Sequence, residues 1–319
     1  MSLSLVEQDK NVAQFTDKQL SIFWLPTEPK VEKDIQDILV NITPSEKHGV
    51  LTVLKLFSLY EVEAGNEYWG NRFRKIFSDR IEYVKMANAF SFFEINVHLP
   101  FYNRINELLH VNTDEYYNSY VKDETLKSRM EFINSVVDHK DDLYSLSVFS
   151  MVEGVILYSS LAFIKHFQSK GKNKLLNIVR GANFSVRDEN LHSMGGAYAF
   201  KDLLNQSNLN QEQLDALQET IYEASRKLCE HEFRIIDMIF EQGSIDGITD
   251  KQLKHFVESR VNVVLHQLGL KALYKVDYNP IADWFYDGIN GFSYNDFFSG
   301  IGASYSRDWA ESEFVWKIK

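Results

Sequence analysis

The sequence predicts an all-α protein, and three observations carry that prediction. Only 15 Gly and 5 Pro punctuate 319 residues, while hydrophobic residues make up 45% and aromatics 14%, so long uninterrupted helices have room to form. Several runs are apolar nearly all round, Leu143 to Ile164 above all, as helices at the centre of a bundle are. Four glutamates and two histidines (Glu61, Glu94, His98, Glu153, Glu189 and His192) stand inside such runs, where an unpaired charge costs several kcal/mol unless something compensates it.

The elements follow in chain order. Residues 1–22 read as polar and irregular, and Phe23-Trp24 before Pro26 must dock against something. Residues 28–42 read as a modest amphipathic helix. Thr43-Pro44-Ser45-Glu46 supplies a helix cap with proline in the first turn. The helix it starts runs to about Gly65 and is apolar on nearly every side, through Val50, Val53, Leu54, Leu56 and Phe57. Residues 66–78 read as a loop or short helix, and 79–109 as a long helix. Further helices are predicted over 123–138, 143–169, 174–203, 210–241 and 249–269, with a polar turn from Gln168 to Lys174. After Asn279-Pro280 the periodicity decays, so residues 1–285 are expected to fold as one domain and 286–319 to form a flexible tail.

The net charge of −11 argues against a nucleic-acid partner or an anionic membrane surface, both of which need clustered Lys and Arg. The run from Leu143 to Ile164 has membrane-like composition, but Glu153 in its middle fits a buried bundle helix better than a membrane span. The single cysteine, Cys229, excludes an internal disulfide and suggests a reducing compartment. The first residues have neither a basic region nor an unbroken apolar core and do not read as a signal peptide, so the expected location is cytoplasmic.

Glu189 and His192 are three apart and Glu94 and His98 four apart, so each pair shares one helix face within reach of one ion. One Glu from each of two helices plus a Glu/His pair from each of two others is the ligand inventory of a dimetal centre in a four-helix bundle. Two divalent cations would neutralise four carboxylates. Oxygen and imidazole donors without thiolate suit iron or manganese. On the first helix Glu61 and Glu63 compete for the ligand role, and its all-round apolar character cannot choose between them. Tyr102 lies one turn beyond His98 on the same face, which puts a phenol beside the metals.

These residues resemble the small, radical-generating subunit of class I ribonucleotide reductase. The resemblance runs over nearly the whole chain, through Gln19-Leu20-Ser21-Ile22-Phe23-Trp24-Leu25-Pro26, Ser45-Glu46-Lys47-His48, Asn96-Val97-His98-Leu99-Pro100-Phe101-Tyr102, Ser150-Met151-Val152-Glu153-Gly154, Arg187-Asp188-Glu189-Asn190-Leu191-His192 and Asn279-Pro280. It implies a ferritin-like bundle and selects Glu61, thirteen residues after His48, over Glu63. By the same resemblance Glu61, Glu94 and His98 hold one metal, Glu153, Glu189 and His192 the other, and Glu94 and Glu189 bridge. Tyr102 matches the radical tyrosine, and Trp24 and Asp188 match the pair that, with His98, conducts coupled electrons and protons out of the site.

The family spacing in the first pair is Glu-x-x-His, whereas here it is Glu-x-x-x-His, and a π-bulge would absorb the extra residue. In the tail, Tyr305 after Phe297-Phe298 resembles the tyrosine that relays the radical to the large subunit, and residues 313–319 look like apolar anchors for it. The resemblance further implies a pair of irons, with dimanganese or mixed manganese/iron as alternatives, a large alpha-subunit partner, a homodimer and an activating flavoprotein. The competing reading from the residues alone is a stand-alone dimetal oxidase or hydroxylase of the ferritin-like class.

Overall fold

A computed structural model describes residues 5–286, whose regular secondary structure is helical apart from one isolated bridge, Ile245 to Ile248. The first helix, α1 (Lys10–Ser21), corrects the expectation of an irregular start: Val12, Phe15, Thr16 and Gln19 form its buried stripe. Half of that stripe is polar, which hid the helical period in the sequence. Its N-cap is Asp9, whose side chain accepts from the Asn11 backbone at 2.8 Å.

The segment expected as one amphipathic helix over 28–42 is a short 3₁₀ turn, Val31–Lys33, followed by a π-helical turn, Asp37–Asn41. The Thr43 cap is present as a full capping box with Glu46, and Pro44 opens α2 (Pro44–Val62). The helix does not end near Gly65. It continues as a π-helical stretch, Glu63–Phe73, into the short α3 (Arg74–Ile76). Gly65 is a point of close approach, since a Cβ there would lie 2.9 Å from Glu94 Cβ and 2.7 Å from Ile95.

The long helix over 79–109 consists of α4 (Ile81–Phe93), a π-helical turn Glu94–His98, and α5 (Leu99–Leu108). Next come α6 (Asp114–Lys122), which the sequence reading left unassigned, and α7 (Glu124–Val137). The apolar run expected as one helix over 143–169 is broken. α8 (Asp142–Val155) ends where Ile156 turns extended and Leu157 takes a left-handed φ of 72°, and α9 (Tyr158–Lys165) starts directly after. Among the described residues, the span Asp142–Gly171 is apolar enough to cross a membrane by length and composition, yet its most apolar 18-residue stretch is wholly buried inside the protein.

The chain closes with α10 (Leu176–Gln206), α11 (Gln211–Ile239), α12 (Asp250–Gln267) and a short unanticipated α13 (Pro280–Phe285). α8 and α10 pack along each other, and α2 and the α4–α5 helix complete the inner four. α10 starts from Leu175 at a φ of 52° with no cap from its own chain end. Asp34 supplies one from a distance, accepting from the Asn177 and Ile178 backbones at 2.6 and 2.7 Å and from the Asn177 amide at 2.7 Å. Asp34→Ala is therefore expected to cost about 2 kcal/mol in chemical denaturation. An unchanged denaturation midpoint would remove the cap from this account.

Candidate metal centre

Four helical segments converge on one buried point. The last turn of α2 brings Glu61, the π-helical turn brings Glu94 and His98, α8 brings Glu153, and α10 brings Asp188, Glu189 and His192. The π-turn adds one residue to the helical register, so Glu94 and His98 both face the centre while Phe90, Phe93, Phe101 and Tyr102 on either side stay buried. The expected bulge is thus present in this helix.

Two overlapping groups result: Glu61, Glu94, His98 and Glu189, and Glu94, Glu153, Glu189 and His192, the ligand atoms in each lying within 4.8 Å of one another. Glu94 turns Oε2 to His98 Nδ1 at 2.9 Å and Oε1 to His192 Nδ1 at 2.5 Å. Glu189 divides in the same way, with Oε1 3.3 Å from His98 Nδ1 and Oε2 3.8 Å from His192 Nδ1. Two carboxylates, each with one oxygen toward either imidazole, are placed to bridge a pair of cations.

The donor set fits such a pair. Both oxygens of Glu61 and of Glu189 are buried without a hydrogen-bond partner, and Oε1 of Glu94 and Nδ1 of His192 have only each other, at 2.5 Å. Native proteins seldom leave so many buried polar atoms orphaned. Glu232, buried as deeply elsewhere, shows the usual solution, with Arg129 donating to one oxygen at 3.2 Å and Ser159 to the other at 2.7 Å. Burial and then the Glu94 charge push the Glu61 carboxyl well above the usual range. Glu153 is likewise driven well up by burial and by Glu189, and Glu189 is pushed up to about 7 by burial and Glu94. For Glu94 burial acts in the same direction, but the His98 and His192 imidazoles outweigh it and hold that carboxyl well below the usual range. Clustered acids under this repulsion are strong ligands for a divalent ion.

The outer nitrogens of the two histidines are held by one connected network. Asp188 Oδ2 accepts from Trp24 Nε1 at 2.8 Å and lies 3.1 Å from His98 Nε2. Gln19 donates from Nε2 to Asp188 Oδ1 at 3.3 Å and accepts on Oε1 from His192 Nε2 at 3.0 Å. Both rings thus present Nδ1 to the centre. Gln19 was not singled out from sequence, because a glutamine in a segment read as irregular carries no signal; its place in the 12-15-16-19 stripe was the available clue. Gln19→Leu is expected to lower metal affinity about 10–100-fold in a chelator competition, with helix content unchanged. Equal affinity would show that Asp188 alone orients the site.

Two more residues reach the cluster without having been anticipated. Trp69 Nε1 donates to Glu153 Oε1 at 2.7 Å and the Tyr60 hydroxyl to Oε2 at 3.2 Å, so Glu153 is oriented from behind. Tyr102 is buried, stacks on Phe57 at 4.3 Å between ring centroids, and donates its hydroxyl to Ser185 at 3.1 Å. Burial and then the Glu61 charge push its phenol well above its ordinary value, so it is protonated at rest. Tyr305 and the tail from residue 287 lie outside the described residues.

Comparison with known proteins agrees with this geometry. The profile of the family "Ribonucleotide reductase, small chain" matches residues 5–280. A ribonucleoside-diphosphate reductase small-subunit homologue, 048L, of Invertebrate iridescent virus 3 is 23% identical over 315 residues, covering 92% of this chain and 81% of its own. The ribonucleoside-diphosphate reductase subunit beta of Buchnera aphidicola from Acyrthosiphon pisum is 24% identical over 310 residues, covering 85% and 80%. Among solved structures, the dimanganese(II) NrdF of Streptococcus sanguinis superposes with a TM-score of 0.77 at 22% identity, covering 91% of this chain and 99% of its own. The R2 subunit from Clostridium botulinum gives 0.75 at 21% identity, covering 88% and 89%. A match of this extent, over a helical bundle whose buried acids and histidines meet in two overlapping groups, establishes that the chain belongs to the ribonucleotide reductase small-chain family, the small subunit of a ribonucleoside-diphosphate reductase.

Proposed function

We propose that this subunit uses a dinuclear metal centre to generate and store a radical on Tyr102 and passes it to a large alpha subunit, where ribonucleotides are reduced to deoxyribonucleotides. The observation that carries this reading is the pair of overlapping ligand groups sharing Glu94 and Glu189, with Tyr102 on the helix turn after His98. Glu61, Glu94 and His98 would hold one ion and Glu153, Glu189 and His192 the other, Glu94 and Glu189 serving both. The bound pair supplies the redox capacity to reduce dioxygen and to take one electron from the tyrosine. Two irons suit the donors, as do two manganese ions or one of each.

The residues around the site do the rest. Phe57 and the buried wall keep water from the Tyr102 oxygen. His98, Asp188 and Trp24 form a continuous hydrogen-bonded line from the centre, along which a proton can shift as an electron passes. In the tail, Tyr305 is assigned the next relay position and residues 313–319 the anchoring role on the large subunit. A homodimer and an activating flavoprotein complete the reading, and neither nucleic acid nor a membrane enters it. A cytoplasmic setting is supported by Cys229, a free and buried thiol whose ionisation burial pushes up to about 12.

The test is metal analysis with electron paramagnetic resonance on the protein reconstituted with ferrous or manganous ion under air. About two metals per chain and a tyrosyl signal are expected. Many metals per chain, or two metals with no tyrosyl signal under either loading, with or without a reductase flavoprotein, would overturn the assignment.

A further inference from the structure

The Tyr102 hydroxyl donates to Ser185, and both oxygens of Glu61 lack any donor, so the phenol turns away from that candidate ligand and toward α10. Ser185 is fully buried on α10, one turn before Glu189. The Phe57 ring, stacked on Tyr102 at an interplanar angle of 18°, fixes the plane in which that contact is made. No other side chain among the described residues hydrogen-bonds to the Tyr102 oxygen.

We propose that Ser185 is a positioning residue that keeps the Tyr102 oxygen hydrogen-bonded both as a phenol and as a radical, reversing the direction of one contact. This inference rests on the reading of Tyr102 as the radical site. Oxidation breaks the phenol O–H bond: the electron goes to the metal pair and the proton ends in the water to which dioxygen is reduced. The oxygen left behind can only accept. A serine hydroxyl carries one donor and two lone pairs and rotates freely, so Ser185 accepts from the phenol and then donates to the radical without any heavy atom moving. A carboxylate in that position is an acceptor only and would face the radical with nothing to donate.

The experiment uses the full chain, loaded with metal under air, in normal and in heavy water. Electron–nuclear double resonance of the wild-type radical is expected to show an exchangeable deuteron coupled to the tyrosyl oxygen. Ser185→Ala should keep its metals and its radical but lose that coupling, and the radical should decay about five-fold faster, the weight of one neutral hydrogen bond. Ser185→Thr should restore both. A wild-type radical without the exchangeable deuteron, or a coupling that survives in Ser185→Ala, would overturn this inference and leave the radical role of Tyr102 standing. If Ser185→Ala does not fold, the heavy-water comparison in wild type and in Ser185→Thr decides by the same criterion. A wild-type protein with no tyrosyl signal would overturn the functional reading and this inference with it.

Discussion

Tyr102→Phe is expected to bind about two metals per chain, give no tyrosyl signal, and lose at least about 1,000-fold of ribonucleotide reduction with the large subunit. The substitution removes one oxygen and nothing else. The ring keeps its stack on Phe57 and its place beside Phe101. What disappears is the hydroxyl that Ser185 accepts from, a neutral contact worth about 1 kcal/mol, too little to disturb the fold. Loss of activity with unchanged melting and metal content therefore isolates the chemistry of the phenol. Full turnover by the variant would end the role given to Tyr102.

Glu61→Leu is expected to act in opposite directions on stability and function. In wild type this carboxylate is fully buried, neither oxygen has a hydrogen-bond partner, and burial and Glu94 oppose its charge more than His98, 3.5 Å away, favours it. Leucine has similar volume and no polar atom to satisfy, so the metal-free protein should gain about 1–3 kcal/mol and melt several degrees higher. The same change removes a ligand from one group only, so metal content should fall toward about one per chain. Differential scanning calorimetry of the metal-free protein, paired with metal analysis after reconstitution, checks both signs. A metal-free variant less stable than wild type would mean that Glu61 makes a structural contribution and is not simply held ready for a cation.

The buried cluster of acids and histidines and the helical class were legible because each depends on residue type against local background: an acid in an apolar run is conspicuous. The extra residue between Glu94 and His98 was legible as a spacing, and its π-turn followed from keeping both flanking faces buried. What escaped was anything that depends on distant segments. Gln19 and Trp69 reach the cluster through contacts with distant segments, Gln19 marked only by its place on the half-polar stripe of α1, and Asp34 matters only because α10 begins without a cap of its own. The break after Val155 was hidden because Ile156 and Leu157 are not Gly or Pro, and Leu157 takes its left-handed conformation while buried in the core.

The apolar span from Asp142 to Gly171 also bears on how the chain is made. Most of what finally covers it comes later in the sequence, in α10, α11 and α12. A ribosome therefore presents a membrane-like stretch to the cell well before the helices that shelter it have emerged. During that interval the stretch is exposed in the way that makes folding intermediates prone to aggregate, and a chain cut short before α12 leaves α8 and α9 without one of the helices that cover them.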